Sequence, residues 1–216
     1  MVRLRLGIAI GAAVILTGCS SSGSTAAPFK PEGGNTAAAT TAAGTPAPSL
    51  VSFPFGADVH FTFQSSLPAD PGQQAAAVAD RDFMLAYYYA IYSGGKSTAV
   101  YGYIPSQETS VRTDVFNSVN SQHGTTFTGT VLIYRTTVSP TPGGDGAFTV
   151  TSCYDSAKQT TLYRSTHKPV PGQNQIPQDN MFMQSDTWVP VKGGWKLGQI
   201  VHETYPNGSA KGCYPL

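Results

Sequence analysis

The chain predicts an α+β domain in which helices near its start pack inside a strongly curved antiparallel sheet. Three observations carry this. Residues 71–93 repeat apolar side chains at three- and four-residue steps. A stripe of Val111, Val115 and Val119 follows, four residues apart. Beyond residue 125 the texture changes to alternating Thr, Val, Ile, Phe and Tyr, interrupted by Gly, Pro and Asn turns.

Taken in order, Val59, Phe61 and Phe63 alternate with His60 and Thr62 and predict a short strand with one buried face. Pro54 and Gly56 keep the residues before it irregular or at a sheet edge. Asp70 can cap a helix, Pro71 suits its first position and Gln73 can reach back. Its core face is expected to hold Val78, Ala79, Phe83, Ala86, Tyr87, Ala90 and Ile91, with Asp80 and Arg81 turned away. Gly94 and Gly95 end it cheaply. Pro105 and Ser106 are expected to start the second helix and Gly124 to stop it. The sheet is expected from 126–138, from 147–155 with Phe148, Val150, Ser152 and Tyr154 on one face, from 159–164 after a tight turn at 156–158, and from a hairpin of 181–191 and 195–204 closed at Lys192-Gly193-Gly194. Residues 139–146 and 167–180 read as loops, and a polar tail ends near Cys213.

The front of the chain is a different material. Arg3 and Arg5 precede an apolar run over 6–16, too short and too broken by Gly7, Gly11 and Gly18 to span a bilayer. A basic start, a greasy middle and small residues make residues 1–18 a secretory signal peptide. Leu16-Thr17-Gly18-Cys19 resembles the lipobox of bacterial lipoproteins. The resemblance implies that Cys19 takes a diacylglyceryl group and becomes the new N-terminus, on the extracytoplasmic side of the cell membrane. Two acyl chains suffice for stable anchoring. Residues 19–49 are Ser, Thr, Ala, Gly and Pro with almost no large apolar side chain, and read as a flexible linker. Residues 50–216 are left as one domain of ordinary size.

Loss of Arg3 and Arg5 with the leader takes the formal charge from +1 to −1, and no Lys/Arg cluster remains, so nucleic acid is an unsuitable partner. With Cys19 lipidated, Cys153 and Cys213 are the two remaining cysteines. Outside the cytoplasm they are expected to form one disulfide, two unpaired buried thiols being the alternative.

The aromatic helix around Asp82-Phe83-Met84-Leu85-Ala86-Tyr87-Tyr88-Tyr89, the strand with Thr128-Gly129, the strand ending Ser152-Cys153-Tyr154-Asp155 and the hairpin Gly193-Gly194-Trp195-Lys196-Leu197 together resemble the NTF2-like (cystatin-like) roll, in particular small NTF2-like lipoproteins of actinobacteria. The resemblance covers residues 68–213. It implies a fold and a location, and function only loosely, because this fold hosts enzymes, binding modules and dimerisation domains.

Enzymes of that shape place an Asp, or a Tyr/Asp pair, in an apolar cavity. Asp155, Tyr154 and His202 are the leading catalytic candidates, with Asp186, Tyr163 and Tyr88 behind them. Adjacent on one strand, Tyr154 and Asp155 point to opposite faces and cannot line one cavity together. Asp155 suits the turn amides at 156–158 better. His60, His123, His167 and His202 have no metal-ligand spacing, and no cofactor motif is present. Tyr88, Tyr89 and Tyr92 are candidates for a ligand or partner surface, packing beneath the sheet being the plainer reading. Three functions stay open: a non-catalytic domain binding a small apolar ligand or an envelope protein, an isomerase- or cyclase-like enzyme, and a homodimerisation module.

Overall fold

A computed structural model describes residues 51–173 and 180–214. The signal peptide, Cys19 and the 19–49 linker lie outside these residues, as does the middle of the 167–180 loop. The described residues belong to one compact unit. They build β1 (Val59–Phe63), α1 (Pro71–Tyr92), a 3-10 turn (Ala99–Tyr103), α2 (Thr109–Ser121), β2 (Thr125–Pro140), β3 (Phe148–Tyr163), β4 (Met181–Val191), β5 (Gly194–Thr204) and a 3-10 segment (Gly208–Cys213). The class is α+β, with a five-stranded, curved, open sheet. Among the described residues no helix is long and apolar enough to cross a membrane.

Local chemistry sets the helix ends. Asp70 accepts a hydrogen bond from the Gln73 amide at 2.8 Å and Pro71 opens α1. At the other end Gly94 and Gly95 take φ of 71° and 79°, the left-handed region that favours glycine. The Arg164 guanidinium then donates to the carbonyls of Ile91 (2.9 Å) and Tyr92 (2.8 Å), placing a cation at the helix C-terminus. The second helix begins later than expected. Pro105 opens a turn in which the Glu108 amide bonds to the Pro105 carbonyl at 3.1 Å, and α2 starts only at Thr109. Its buried stripe is Val111, Val115 and Val119, as the spacing predicts.

Strand order is β1-β2-β3-β4-β5. The sheet is antiparallel except at one edge, where β1 pairs parallel with β2. A parallel neighbour needs a crossover, and both helices lie in it. The expected turn at 156–158 is absent. β3 runs unbroken, and Ser156 and Ala157 bulge opposite Val131, between the pairs Leu132–Asp155 and Thr130–Lys158. Asp155 accepts from the Ala157 amide at 2.8 Å, so its carboxylate holds a bulge where a chain reversal was expected. Gly129, across from Gln159, has φ 97°, and a Cβ there would sit 2.1 Å from the Lys158 carbonyl oxygen. Further register shifts fall between Tyr134 and Thr137 and at Thr187/Trp188. Each adds local twist and bends the sheet.

The concave face packs on α1 and α2 through Phe83, Val115, Val131, Val150, Tyr154, Trp188 and Leu197. The first described residues lie along α1, where Phe53 stacks on Tyr89 at 5.2 Å and the Val51 amide donates to Asp82 at 2.9 Å. The opposite face carries a smaller core of Tyr134, Cys153, Met183, Ala210 and Cys213. The tail is no loose end. It folds onto this face, where Cys153 and Cys213 form a disulfide and Tyr134 donates to the Cys213 carbonyl.

Candidate functional site

Two cavities flank the hydrogen bond of 2.5 Å between the Tyr87 and Ser118 hydroxyls, which ties α1 to α2. They share Met84, Tyr87, Ser118, Gln184 and His202 as a common wall and make two lobes of one cleft. The first lobe is about 480 Å³ and lies between the helices and β5, against Phe83, Val111, Val115 and Ile200. The second is about 380 Å³ and lies toward the start of β2 and the end of β3, with Tyr88, Phe127 and Phe182 among its apolar walls. Volumes of this size suit a small organic ligand.

Strand pleating decides what reaches the cleft. On β4, Phe182, Gln184, Asp186 and Trp188 alternate onto the concave face, while Met181 and Met183 face the tail. Gln184 forms the floor. Its Nε2 donates to Asp186 Oδ2 at 2.7 Å and reaches the Met84 sulfur at 3.1 Å. Beneath Gln184 lie two carboxyls, Asp80 of α1 (4% exposed) and Asp186 (1%), within hydrogen-bonding reach of each other. Asp80 also accepts from Trp188 Nε1 at 3.1 Å, while no N–H or hydroxyl donor of the protein reaches Asp186 Oδ1. Burial pushes Asp80 up to about 6. Burial, and then the neighbouring Asp80, push Asp186 well above the ordinary carboxylate range. Like charges this close in an apolar setting hold a proton between them.

Asp80 corrects the sequence reading. It faces the core and not solvent, on the same helical stripe as Ala76, Phe83, Met84 and Tyr87. The signal was present, since positions 76, 80, 83, 84 and 87 follow helical spacing, but an aspartate within it reads as a surface residue. Gln184 was missed for the same reason.

The catalytic candidates do not converge. Asp155 lies on the convex side, near enough to Tyr134 to raise that phenol's proton affinity after burial has done so. Tyr154 is fully buried, stacked on Phe182 at 4.6 Å, and lines neither lobe. Its hydroxyl is held protonated by burial and by the nearby carboxyls. Asp186 is sealed below Gln184, and Tyr163 is exposed at the end of β3. His202 does line both lobes, with its ring 4.5 Å from Phe182, and burial lowers its proton affinity. Of the three tyrosines, Tyr88 reaches the second lobe but is buried, so it offers no partner surface. Tyr89 and Tyr92 pack against Phe53 and Phe55, and the Tyr92 hydroxyl accepts from the Gly56 amide at 3.1 Å. Among the described residues no group of His, Cys, Asp and Glu could hold a metal ion. No protein-family model matches the chain, and no curated protein matches it.

Proposed function

We propose that this chain is a membrane-anchored extracytoplasmic lipoprotein whose NTF2-like domain binds a small apolar ligand without catalysis. The observation that carries the binding reading is the cleft of about 480 Å³, whose apolar wall of Phe83, Met84, Val111, Val115 and Ile200 stands beside polar side chains that include Ser110, Asp114 and Gln199. The two buried carboxyls, Asp80 and Asp186, lie behind Gln184 and line neither lobe, and Asp114, which lines the first, is exposed to solvent, which favours binding over the isomerase-like reading. Order of elements, the curved sheet and the aromatic helix support the NTF2-like assignment. The lipobox-like Leu16-Thr17-Gly18-Cys19 supports the anchor.

Two measurements test this. Cys19→Ser should release the protein from the membrane fraction and remove the diacylglyceryl mass; unchanged fractionation and mass defeat the anchor. The mature protein should enhance the fluorescence of N-phenyl-1-naphthylamine, a neutral apolar dye, and Ile200→Trp, which fills the first lobe, should weaken that binding by tenfold or more, on the order of 1.4 kcal/mol. A wild-type protein that leaves the dye dark sinks the ligand reading.

A further inference from the structure

We infer that the ligand is an amphiphile: its apolar body occupies the first lobe, and an uncharged head rich in hydroxyls, such as a sugar, occupies the second. The inference rests on the binding reading above and deepens it. The two lobes share one wall yet differ in chemistry. The first offers the broader apolar wall, Phe83, Met84, Val111, Val115 and Ile200, with Ser110, Asp114 and Gln199 also on its lining. The second is walled at its far end by Thr125, Ser156, Gln159, Thr161, Gln122 and Thr204, short hydroxyls and amides fixed on strands and a helix end. These groups both donate and accept, as polyol recognition requires. Two of the hydroxyls already spend their proton on the protein: Thr125 on the Gln122 carbonyl at 2.9 Å and Ser156 on the Asn180 carbonyl at 3.1 Å. Their oxygens are thereby oriented as acceptors for a ligand's hydroxyls.

Charge sets the other half of the specificity. Among the described residues no Asp, Glu, Lys or Arg lines the second lobe. The titratable side chains on its wall are Tyr87, Tyr88 and His202, and burial raises the proton affinity of the two phenols and lowers that of the imidazole, which disfavours charge on all three. A phosphate, sulfate or ammonium head entering here would lose its hydration without a counter-charge on the lobe's own wall: the Arg164 guanidinium nearby is committed to backbone carbonyls, and Asp114 lines the first lobe. Phe182 lines the same lobe, pinned by Tyr154 on one side and His202 on another, and its remaining surface is a flat apolar wall for the C–H face of a sugar ring.

The test uses three probes with one eight-carbon tail, each below its micelle-forming concentration: octyl glucoside, octyl sulfate and octyltrimethylammonium. Calorimetry on the mature protein should give the glucoside at least about tenfold tighter binding than either charged probe, the worth of one to two net hydrogen bonds. The double variant Gln159→Leu/Thr161→Val should erase that preference while retaining binding of the tail, and Ile200→Trp should weaken all three probes alike. Should the double variant fail to show a cooperative melt, Ser156→Ala takes its place and should reduce the preference. Equal affinity for glucoside and sulfate, or a preference untouched by the second-lobe variants, overturns the assignment of the head and leaves the apolar cleft standing. Failure of all three probes overturns the cleft reading and this one with it.

Discussion

Asp80 and Asp186 meet inside the concave face, where two carboxylate oxygens can bond to one another only through a proton. That makes the pair a pH-dependent element of stability. A carboxyl whose folded pKa is raised binds its proton more tightly in the folded protein than in the unfolded chain, so its stabilisation is complete below the unfolded value of about 4 and is lost as pH climbs through the folded value. For Asp80 that loss runs from about 4 to about 6, and for Asp186 it extends higher. Stability of the wild type should therefore fall between about pH 4 and pH 8, by on the order of 3 kcal/mol. His202, with a lowered pKa, acts in the opposite sense as pH drops through its ordinary range. It is common to wild type and variant, and so cancels in their comparison. In Asp186→Asn an amide can donate to Asp80 as the shared proton does while still accepting from Gln184. The variant should flatten the pH profile and exceed wild type in stability at pH 8, read from urea midpoints across that range. Parallel profiles for the two proteins would remove the shared proton.

At the scale of elements, α1 is held at both ends by side chains. Asp70 caps the start, and at the finish Arg164, reaching from just beyond β3, gathers the carbonyls of Ile91, Tyr92, Thr125 (2.5 Å) and His123 (3.0 Å). One guanidinium thus joins the helix end to the start of β2, beside the second lobe. Arg164→Ala should cost about 1 to 2 kcal/mol, above the worth of an exposed charge, since it strands several carbonyls at once. Arg164→Lys should recover only part, because an ammonium lacks the fork. Chemical denaturation checks both, and an unchanged midpoint for Arg164→Ala would mean that water replaces the cation. The bulge at Ser156–Ala157 carries the same lesson about reach. Asp-Ser-Ala-Lys reads locally as a turn, but the pairing of β3 with β2 on both sides keeps the strand going.

For the whole molecule, the sheet works as a partition. Its concave side houses the cleft and the carboxyl pair, while its convex side houses the tail, pinned by Cys153–Cys213 across a sequence separation of 60. Closing a loop of that length is worth about 4 kcal/mol in the chain-entropy model. The double variant Cys153→Ser/Cys213→Ser should lose about 2 to 4 kcal/mol in urea denaturation, and at temperatures where it stays folded its dye binding should match wild type, since both cysteines lie on the far side from the cleft. Equal stability with and without the bridge would assign the tail's hold to Tyr134 and Arg135, which donate to the Cys213 and Gly212 carbonyls.

What the amino-acid order determined alone was local. Helix positions, the strand positions other than the unbroken β3, the valine stripe of α2, the cap at Asp70 and the hairpin closed at Lys192-Gly193-Gly194 all follow from periodicity and backbone preference within a few residues. Asp186 could be named as a candidate, but its partner could not, because a carboxylate on an apolar helical stripe is ordinarily solvated. Tertiary pairing decided the rest: that β1 joins β2 in parallel, that Asp80 meets Asp186 under Gln184, and that Ser156, Gln159 and Thr161 face the same lobe as Phe182. Those meetings depend on the register of strands far apart in sequence, and the curvature that encloses the cleft exists only once the strands have paired.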